Sequence, residues 1–171
     1  MPKYANTILK VYIMKKTIAN CLVCAGLLFM SSSVFAAENA KMMLINEAKK
    51  EAGEITPAEL KGMFENEVSV IILDVRETEQ RAEGYLFDDF VSVNTVSITR
   101  GNLEWDVQEK IEDKNIAIVT YCRNGGRGAL AAQTLKKMGY KNVKNLKGGI
   151  GDWVKAGYSV KTGLGVLKIT K

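Results

Sequence analysis

The chain has 171 residues, 47% of them hydrophobic and 25% charged, with two prolines and no histidine. This composition is typical of one compact globular domain, and it excludes disordered and fibrous proteins. The formal net charge is +5, but four of the 24 basic residues and none of the 19 acidic ones lie in residues 1–36. The remaining 20 basic and 19 acidic residues nearly cancel, which argues against nucleic acid or another polyanion as a partner.

Residues 1–36 have the pattern of a secretory signal peptide. Lysines precede the apolar run 18–30, and a serine-rich stretch ending at Ala36 follows it. Because this run is shorter than the ~20 apolar residues of a spanning helix, a permanent membrane anchor is disfavoured. We expect translation to start at Met14, cleavage to follow Ala36 or Ala37, and the mature protein to be periplasmic or secreted.

Export would also decide the fate of the three cysteines. Cys21 and Cys24 lie in the apolar run and would leave with it, so Cys122 alone would remain. A lone thiol in a disulfide-forming compartment cannot make an internal bridge, so it is either buried and inert or kept for chemistry. One cysteine without any histidine excludes Cys–His catalysis and a structural zinc site. We therefore expect neither a metal nor a cofactor.

Helix and strand signals alternate along the chain after residue 37. The predicted helices cover residues 38–52, 57–65, 77–83, 102–111, 127–138 and 152–155. The predicted strands cover residues 68–73, 93–98, 115–121 and 142–146. This alternation implies an α/β fold, a three-layer sandwich in which helices flank a mainly parallel central sheet. We divide the mature chain into a helical extension (37–55), one domain (56–163) and a C-terminal tail (164–171).

Local signals define several of these elements. Thr56, followed three residues later by Glu59, is a capping-box pattern that begins a helix. Asn102 is the predicted N-cap of a later helix. Trp105 and Trp153 are predicted to be core or helix-packing residues and not a ligand cage.

The most informative segment is the loop between the predicted strand 115–121 and the helix after it. It reads Cys122-Arg123-Asn124-Gly125-Gly126-Arg127. Its glycines let successive amide N–H groups point inward, and the following helix adds partial positive charge, so an anion should bind there. Arg123 and Arg127 would favour the Cys122 thiolate and attract an anionic substrate.

Three motifs together resemble the rhodanese family over about residues 56–163. They are similar to the family's Asp-Val-Arg-Glu box, its active-site loop and its C-terminal signature, at residues 74–77, at 122–127 and at 146–150 with Trp153. The resemblance implies a thiosulfate-type sulfurtransferase. Its Cys122 would take sulfur from a small anionic donor, hold it as a persulfide, and pass it to a thiol or cyanide-type acceptor.

The resemblance also assigns roles to the residues around the cysteine. Those expected to bind the donor are Arg123, Asn124, Gly125, Gly126 and Arg127. Asp74 and Arg76 would support the loop through buried polar contacts without touching substrate. The chain departs from the family pattern in two places: an acidic segment at 87–90 follows Gly84, and Gly128 stands where a small hydroxyl residue or alanine is common. The second change predicts a looser start to the helix after the loop.

Other functions stay open on the sequence alone. Phosphatases and arsenate reductases have a loop of cysteine, five residues and arginine, whereas Gly128 occupies that last position here. A shorter ring of amides suits a sulfur atom better than a tetrahedral phosphate. The chain could instead be a persulfide carrier for an exported partner protein, with Asp88 and Asp89 as its docking surface. A third hypothesis is a redox accessory that forms mixed disulfides through Cys122.

Overall fold

The computed structural model describes residues 39–168. The predicted signal peptide at 1–36 lies outside the described residues, as does the end of the predicted tail at 169–171. Residues from Leu44 onward form one compact unit, and its architecture is given below. Between residues 39 and 168, no helix has the length and apolarity needed to cross a membrane.

Six α-helices lie in the described chain. They are α1 (39–52), α2 (Pro57–Glu65), α3 (Thr78–Arg81), α4 (Leu103–Lys110), α5 (Gly126–Lys137) and α6 (Gly149–Lys155). The eight strands are β1 (Glu54–Ile55), β2 (Val70–Asp74), β3 (Tyr85–Leu86), β4 (Thr95–Ser97), β5 (Ala117–Tyr121), β6 (Asn142–Leu146), β7 (Val160–Thr162) and β8 (Gly165–Leu167). A 3₁₀ turn, Arg100–Asn102, leads into α4.

The central sheet has five parallel strands in the order β1-β6-β5-β2-β4. Successive side chains of a strand face opposite sides, and β2 shows this directly. Ile71 and Leu73 pack in one apolar cluster, while Val70 and Ile72 pack in the other. Every β2 residue is buried. The predicted helix-flanked, mainly parallel sheet is confirmed, with a core on each face.

A second sheet of three short antiparallel strands, β3-β7-β8, was not predicted. Its strands have two or three residues each, too few to show an alternating pattern. Gly84, directly before β3, has φ +119°, and a Cβ there would lie 3.1 Å from the carbonyl oxygen of Lys161. Strand β8 shows that part of the predicted tail pairs with the domain.

The two predicted helix caps have different outcomes. Thr56 and Glu59 form a complete capping box: the Thr56 hydroxyl accepts from the Glu59 N–H at 3.2 Å, and the Glu59 carboxylate accepts from the Thr56 N–H at 2.8 Å. Asn102 precedes α4 but makes no side-chain capping bond. The 3₁₀ turn explains this, because the Leu103 N–H already donates to the Arg100 carbonyl.

The two tryptophans also differ. Trp153 is fully buried, as predicted, and its indole N–H donates to the Ser159 carbonyl at 2.8 Å. The core prediction for Trp105 is wrong, because its side chain is 82% exposed. Leu103 and Val107, four residues apart, occupy the buried face of α4, and Trp105 lies on the other face.

Candidate active site

Cys122 lies at the carboxyl end of β5, in the middle of the parallel sheet. Its free thiol is 2% exposed and belongs to the apolar cluster that includes Leu135 of α5. The loop then enters α5 through Gly125, whose φ of +85° favours glycine. The carboxyl end of a central parallel strand is where α/β folds bind ligands. The predicted loop and helix are therefore in the arrangement that the sequence indicated.

The start of α6 holds the backbone of this loop. The Ile150 N–H donates to the Cys122 carbonyl at 2.9 Å, and the Gly151 N–H donates to the Arg123 carbonyl at 3.1 Å. A Cβ at Gly149, which has φ +61°, would overlap the Cys122 carbonyl oxygen. In trans peptides the carbonyl and the next N–H point in opposite directions. Because both carbonyls face α6, the amides that follow Cys122 and Arg123 point away from α6.

A buried ionic network lies beneath the site. Asp74 and Arg76 are both 0% exposed, and the Arg76 Nη2 lies 2.7 Å from the Asp74 Oδ2. The Tyr121 hydroxyl donates to the same oxygen at 2.8 Å. Arg76 also donates to the carbonyls of Gln80, at 3.1 Å, and Gly84, at 2.6 Å. The network thus joins β2, the residue before Cys122 and both ends of the segment 80–84.

Burial and charge fix the protonation of this network. Burial raises the pKa of Tyr121 well above its ordinary value, and the neighbouring Asp74 charge raises it further. The phenol therefore stays protonated and donates a hydrogen bond to the Asp74 carboxylate. Burial by itself would lower the pKa of Arg76, but the hydrogen bond to Asp74 and the nearby charges outweigh it, so the pKa is raised.

The two loop arginines pair with acids of the segment that faces the loop. Arg123 Nη2 lies 3.2 Å from Glu83 Oε1, and Arg127 Nη1 lies 3.5 Å from Glu77 Oε1. Arg127 also donates to the Gln80 side-chain oxygen. The sequence analysis identified both arginines but did not predict that Glu83 and Glu77 pair with them. In this structure their charges are already compensated.

Asn124 and Gly126 of the loop differ in their surroundings. Asn124 is exposed. A Cβ at Gly126 would lie 3.2 Å from the Cδ1 of Ile45, which belongs to α1. Further along, Glu51 of α1 accepts a hydrogen bond from Gln133 of α5 at 2.7 Å. Residues 45–51 of α1 therefore lie beside α5 and reach the active-site loop, a role that the sequence did not reveal.

Gly128 has a packing role of its own. A Cβ at this position would overlap the side-chain oxygen of Asn145 and lie 3.3 Å from the Tyr121 Cα. The Gly128 carbonyl also accepts from the Thr120 hydroxyl at 2.8 Å. The helix α5 begins at Gly126 and is continuous through this position, and the expected loosening stays a prediction. Glycine is needed because a buried asparagine of β6 takes up the space.

Within the acidic segment 87–90, Asp88 is buried, whereas Asp89 is exposed. Asp88 has a side chain only 2% exposed, and it accepts from the Lys61 ammonium at 2.6 Å and from the Phe90 N–H at 2.9 Å. Asp89 accepts from the Ser159 hydroxyl at 3.2 Å. Asp88 is thus unavailable to a docking partner. Nor do residues 39–168 contain a group of three or more histidine, cysteine or acidic residues placed to hold a metal.

Comparison with known families gives one model match: the rhodanese-like domain model covers residues 56–156. The extension that contacts the loop lies outside this match. Among curated proteins, YrkF of Bacillus subtilis, named as a candidate sulfur carrier, is 34% identical over 100 residues. This match spans 58% of the present chain and 50% of YrkF. YtwF of the same organism, named as a candidate sulfurtransferase, is 35% identical over 60% of this chain and 91% of its own length.

Solved structures share the fold. A Rhodopseudomonas palustris protein of unknown function, RPA3614, suggested to be a tyrosine phosphatase, superimposes with a TM-score of 0.62 at 28% identity. The match covers 70% of this chain and 92% of that one. The thiosulfate sulfurtransferase of Pseudomonas aeruginosa gives a TM-score of 0.61 at 19% identity, covering 77% of this chain and 24% of its own. At that identity the likeness concerns the fold alone.

Proposed function

Because the chain belongs to the rhodanese-like domain family, we propose that Cys122 carries sulfur as a persulfide from a donor such as thiosulfate to a thiophilic acceptor. The family and its relatives are sulfurtransferases and sulfur carriers, so sulfur transfer is the general activity. The persulfide step and the identity of the donor are the parts that we add.

The proposed cycle has two displacements. The Cys122 thiolate attacks the outer sulfur of thiosulfate, the S–S bond of the donor breaks, and sulfite leaves with the bonding electron pair. The acceptor, cyanide or a thiolate, then attacks the outer sulfur of the persulfide. The persulfide bond breaks, and Cys122 leaves as a thiolate, ready for the next donor.

The observation that carries this proposal is the backbone geometry after Cys122. With the carbonyls of Cys122 and Arg123 bonded to α6, the amides that follow them point away from α6, and such amides can stabilise a negatively charged sulfur. The ring is small, because Arg127 comes five positions after Cys122 and Gly128 occupies the next place. A small ring supports transfer of one sulfur atom over phosphate-ester hydrolysis.

The second candidate function is a persulfide carrier with slow turnover on small molecules. The pairing of Arg123 with Glu83 and of Arg127 with Glu77 favours it, since each arginine must first separate from its glutamate before it can bind a small anion. The similarity to YrkF points in the same direction. Stable persulfide on Cys122 with little thiocyanate production would distinguish the carrier from the enzyme.

We also propose that this chemistry takes place after export. The lysine-led apolar segment at 18–30 supports it, together with the single cysteine left beyond residue 37. Protein sequencing of material from the periplasm should give a first residue of Ala37 or Glu38. A protein in the cytosol that retains residues 14–36 would contradict export.

A turnover assay tests the function directly. The purified chain is incubated with thiosulfate and cyanide, and thiocyanate is measured over time beside a Cys122→Ser variant. The enzyme hypothesis predicts thiocyanate from the wild type and only background from the variant. Equal rates from the two proteins would exclude Cys122 as the sulfur-carrying residue.

A further inference from the structure

We propose that Glu77 and Glu83 form an acidic latch on the active-site loop that selects against small dianionic donors. It holds Arg127 and Arg123, and so disfavours thiosulfate relative to donors with less negative charge, such as a sulfane sulfur carried on an organic or protein thiol. This inference rests on the proposed function and names a specificity determinant of the same site. The term latch refers to these two glutamates.

The first support is that each loop arginine has its own acid. Glu83 contacts Arg123 at 3.2 Å and Glu77 contacts Arg127 at 3.5 Å. Both acids belong to one short stretch that includes α3 and faces the loop across the site. A dianion that binds both arginines must first separate the two ion pairs. It is then also repelled by the carboxylates of Glu77 and Glu83, which stay nearby.

The second support is that a buried group holds this stretch in place. Arg76 donates to the carbonyls of Gln80 and Gly84, and it precedes Glu77 directly in the chain. Arg76 is itself fixed by Asp74 with no exposure to solvent. The glutamates therefore extend from an anchored backbone, in contrast to surface acids on a mobile loop. Because the backbone is anchored, we treat the ion pairs of the two glutamates with Arg123 and Arg127 as a fixed part of the site.

The effect on rate follows from the exposure of the pairs. The side chains of Arg123 and Glu83 are 59% and 42% exposed, and those of Arg127 and Glu77 are 34% and 49% exposed. Ion pairs this exposed are individually weak and are screened by salt. Releasing both should raise kcat/KM for thiosulfate roughly three- to tenfold, mainly by lowering KM. The gain should shrink as ionic strength rises.

The test uses Glu77→Gln, Glu83→Gln and the double variant, with Glu79→Gln as the matched control. Glu79 lies on α3, is exposed and, within residues 39–168, has no ion-pair partner, so its substitution removes the same charge without freeing an arginine. Two donors are compared, thiosulfate and benzenethiosulfonate. Both deliver a terminal sulfur in the same way, but the second carries one negative charge fewer.

We expect the double variant to gain on thiosulfate, to gain less on benzenethiosulfonate, and to exceed Glu79→Gln on both. An equal gain in Glu79→Gln, an equal gain on both donors, or no gain on thiosulfate would each overturn the latch. Intact mass after each donor records whether Cys122 is loaded. Loading without a charge-selective gain refutes the latch alone, whereas absence of loading in every variant with both donors refutes the proposed function together with it.

Discussion

Arginine and carboxylate meet in two regions around Cys122, under opposite conditions. Beneath the site, Asp74 and Arg76 are fully buried and share hydrogen bonds with Tyr121 and two backbone carbonyls. At its rim, Arg123 and Glu83 meet in solvent through one contact. A buried pair leaves a costly unpaired charge when one partner is lost, whereas an exposed pair loses little.

The comparison teaches that the same chemical groups serve two purposes here. The buried pair fixes the backbone that presents the loop, so it is tied to stability. The exposed pairs can open without unfolding anything, so they can adjust which donor enters. Substitutions should therefore separate stability from specificity, and the predictions below are ordered by the size of their expected effect on stability.

The largest effect is expected from Arg76→Met. It leaves Asp74 buried without its cation and removes the anchors of Gln80 and Gly84. We expect a loss of about 3–5 kcal/mol in the free energy of unfolding, measured by urea titration. A loss below 1 kcal/mol would mean that water reaches Asp74 and that the buried region does not differ from the rim.

Gly149→Ala tests a buried contact near the loop in which no charged side chain takes part. It shows whether steric fit alone has an effect similar to that of the buried ion pair. Its Cβ would overlap the Cys122 carbonyl, at a φ that already disfavours alanine. We expect a loss of about 2–4 kcal/mol and a strong fall in thiocyanate production as the loop shifts. Gly53→Ala is the control, since Gly53 has φ +77° with nothing within 4 Å of its Cβ position. Equal losses in the two variants would show that only backbone strain matters.

Tyr121 and Tyr140 allow the stability contribution of a hydrogen bond to a buried carboxylate to be compared with that of one to a neutral carbonyl. Tyr121 donates to the Asp74 carboxylate at 2.8 Å, and Tyr140 donates to the neutral Ile111 carbonyl at 2.6 Å. Hydrogen bonds to charged groups are the stronger ones, so Tyr121→Phe should cost about 2 kcal/mol and Tyr140→Phe about 1 kcal/mol. Thermal and urea unfolding of both variants would check this order, and the reverse order would contradict it.

The ion pair of Asp88 and Lys61 lies between the two regions in burial, because Asp88 is buried and Lys61 is partly exposed. Its contribution to stability should depend on pH. Burial raises the pKa of Asp88, but hydrogen bonds from Lys61 and from the Phe90 N–H lower it more, so the net pKa lies below its ordinary value of 3.8. The resulting stability is present above pH 3.8 and is lost as the pH falls through the folded-state value.

The corresponding variant is Asp88→Asn. At pH 7 we expect it to be about 1–2 kcal/mol less stable than the wild type, because the bond to Lys61 loses its charge. The difference should shrink as the pH falls from 5 to 2, since the wild-type carboxylate is then protonated. Urea titrations at several pH values measure it. A difference that stays constant with pH would rule out the ion pair as its cause.

The smallest effect belongs to the rim. Glu83→Gln should change the free energy of unfolding by less than about 0.5 kcal/mol, even though it frees Arg123. Urea titration beside Glu79→Gln gives the baseline for removing one charge from the same segment. A loss comparable with that of Arg76→Met would abolish the distinction between the two regions.

Much of the fold could be predicted because its signals are local. A continuous apolar run gave β2, a capping box gave the start of α2, and the strand 142–146 was predicted with its observed bounds. The small sheet was missed because its strands are too short for any periodicity. Trp105 was misassigned because aromatic character alone does not say which face of a helix a residue occupies.

Of the candidate site, the sequence revealed the groups but not their partners. Cys122 with its loop, and Asp74 with Arg76, were each recognised from a short motif of consecutive residues. The contacts of Arg123 with Glu83 and of Gly126 with Ile45 join residues 40 or more positions apart. Such contacts depend on how layers pack, so only the folded structure brings them into view.

The most direct measurement of the central claim is the intact mass of the chain after exposure to thiosulfate, followed by peptide mapping. We predict a gain of one sulfur atom located on the peptide that contains Cys122, its removal by cyanide, and no gain in Cys122→Ser. A chain that never gains sulfur from thiosulfate or benzenethiosulfonate, or that gains it equally without Cys122, would contradict the account.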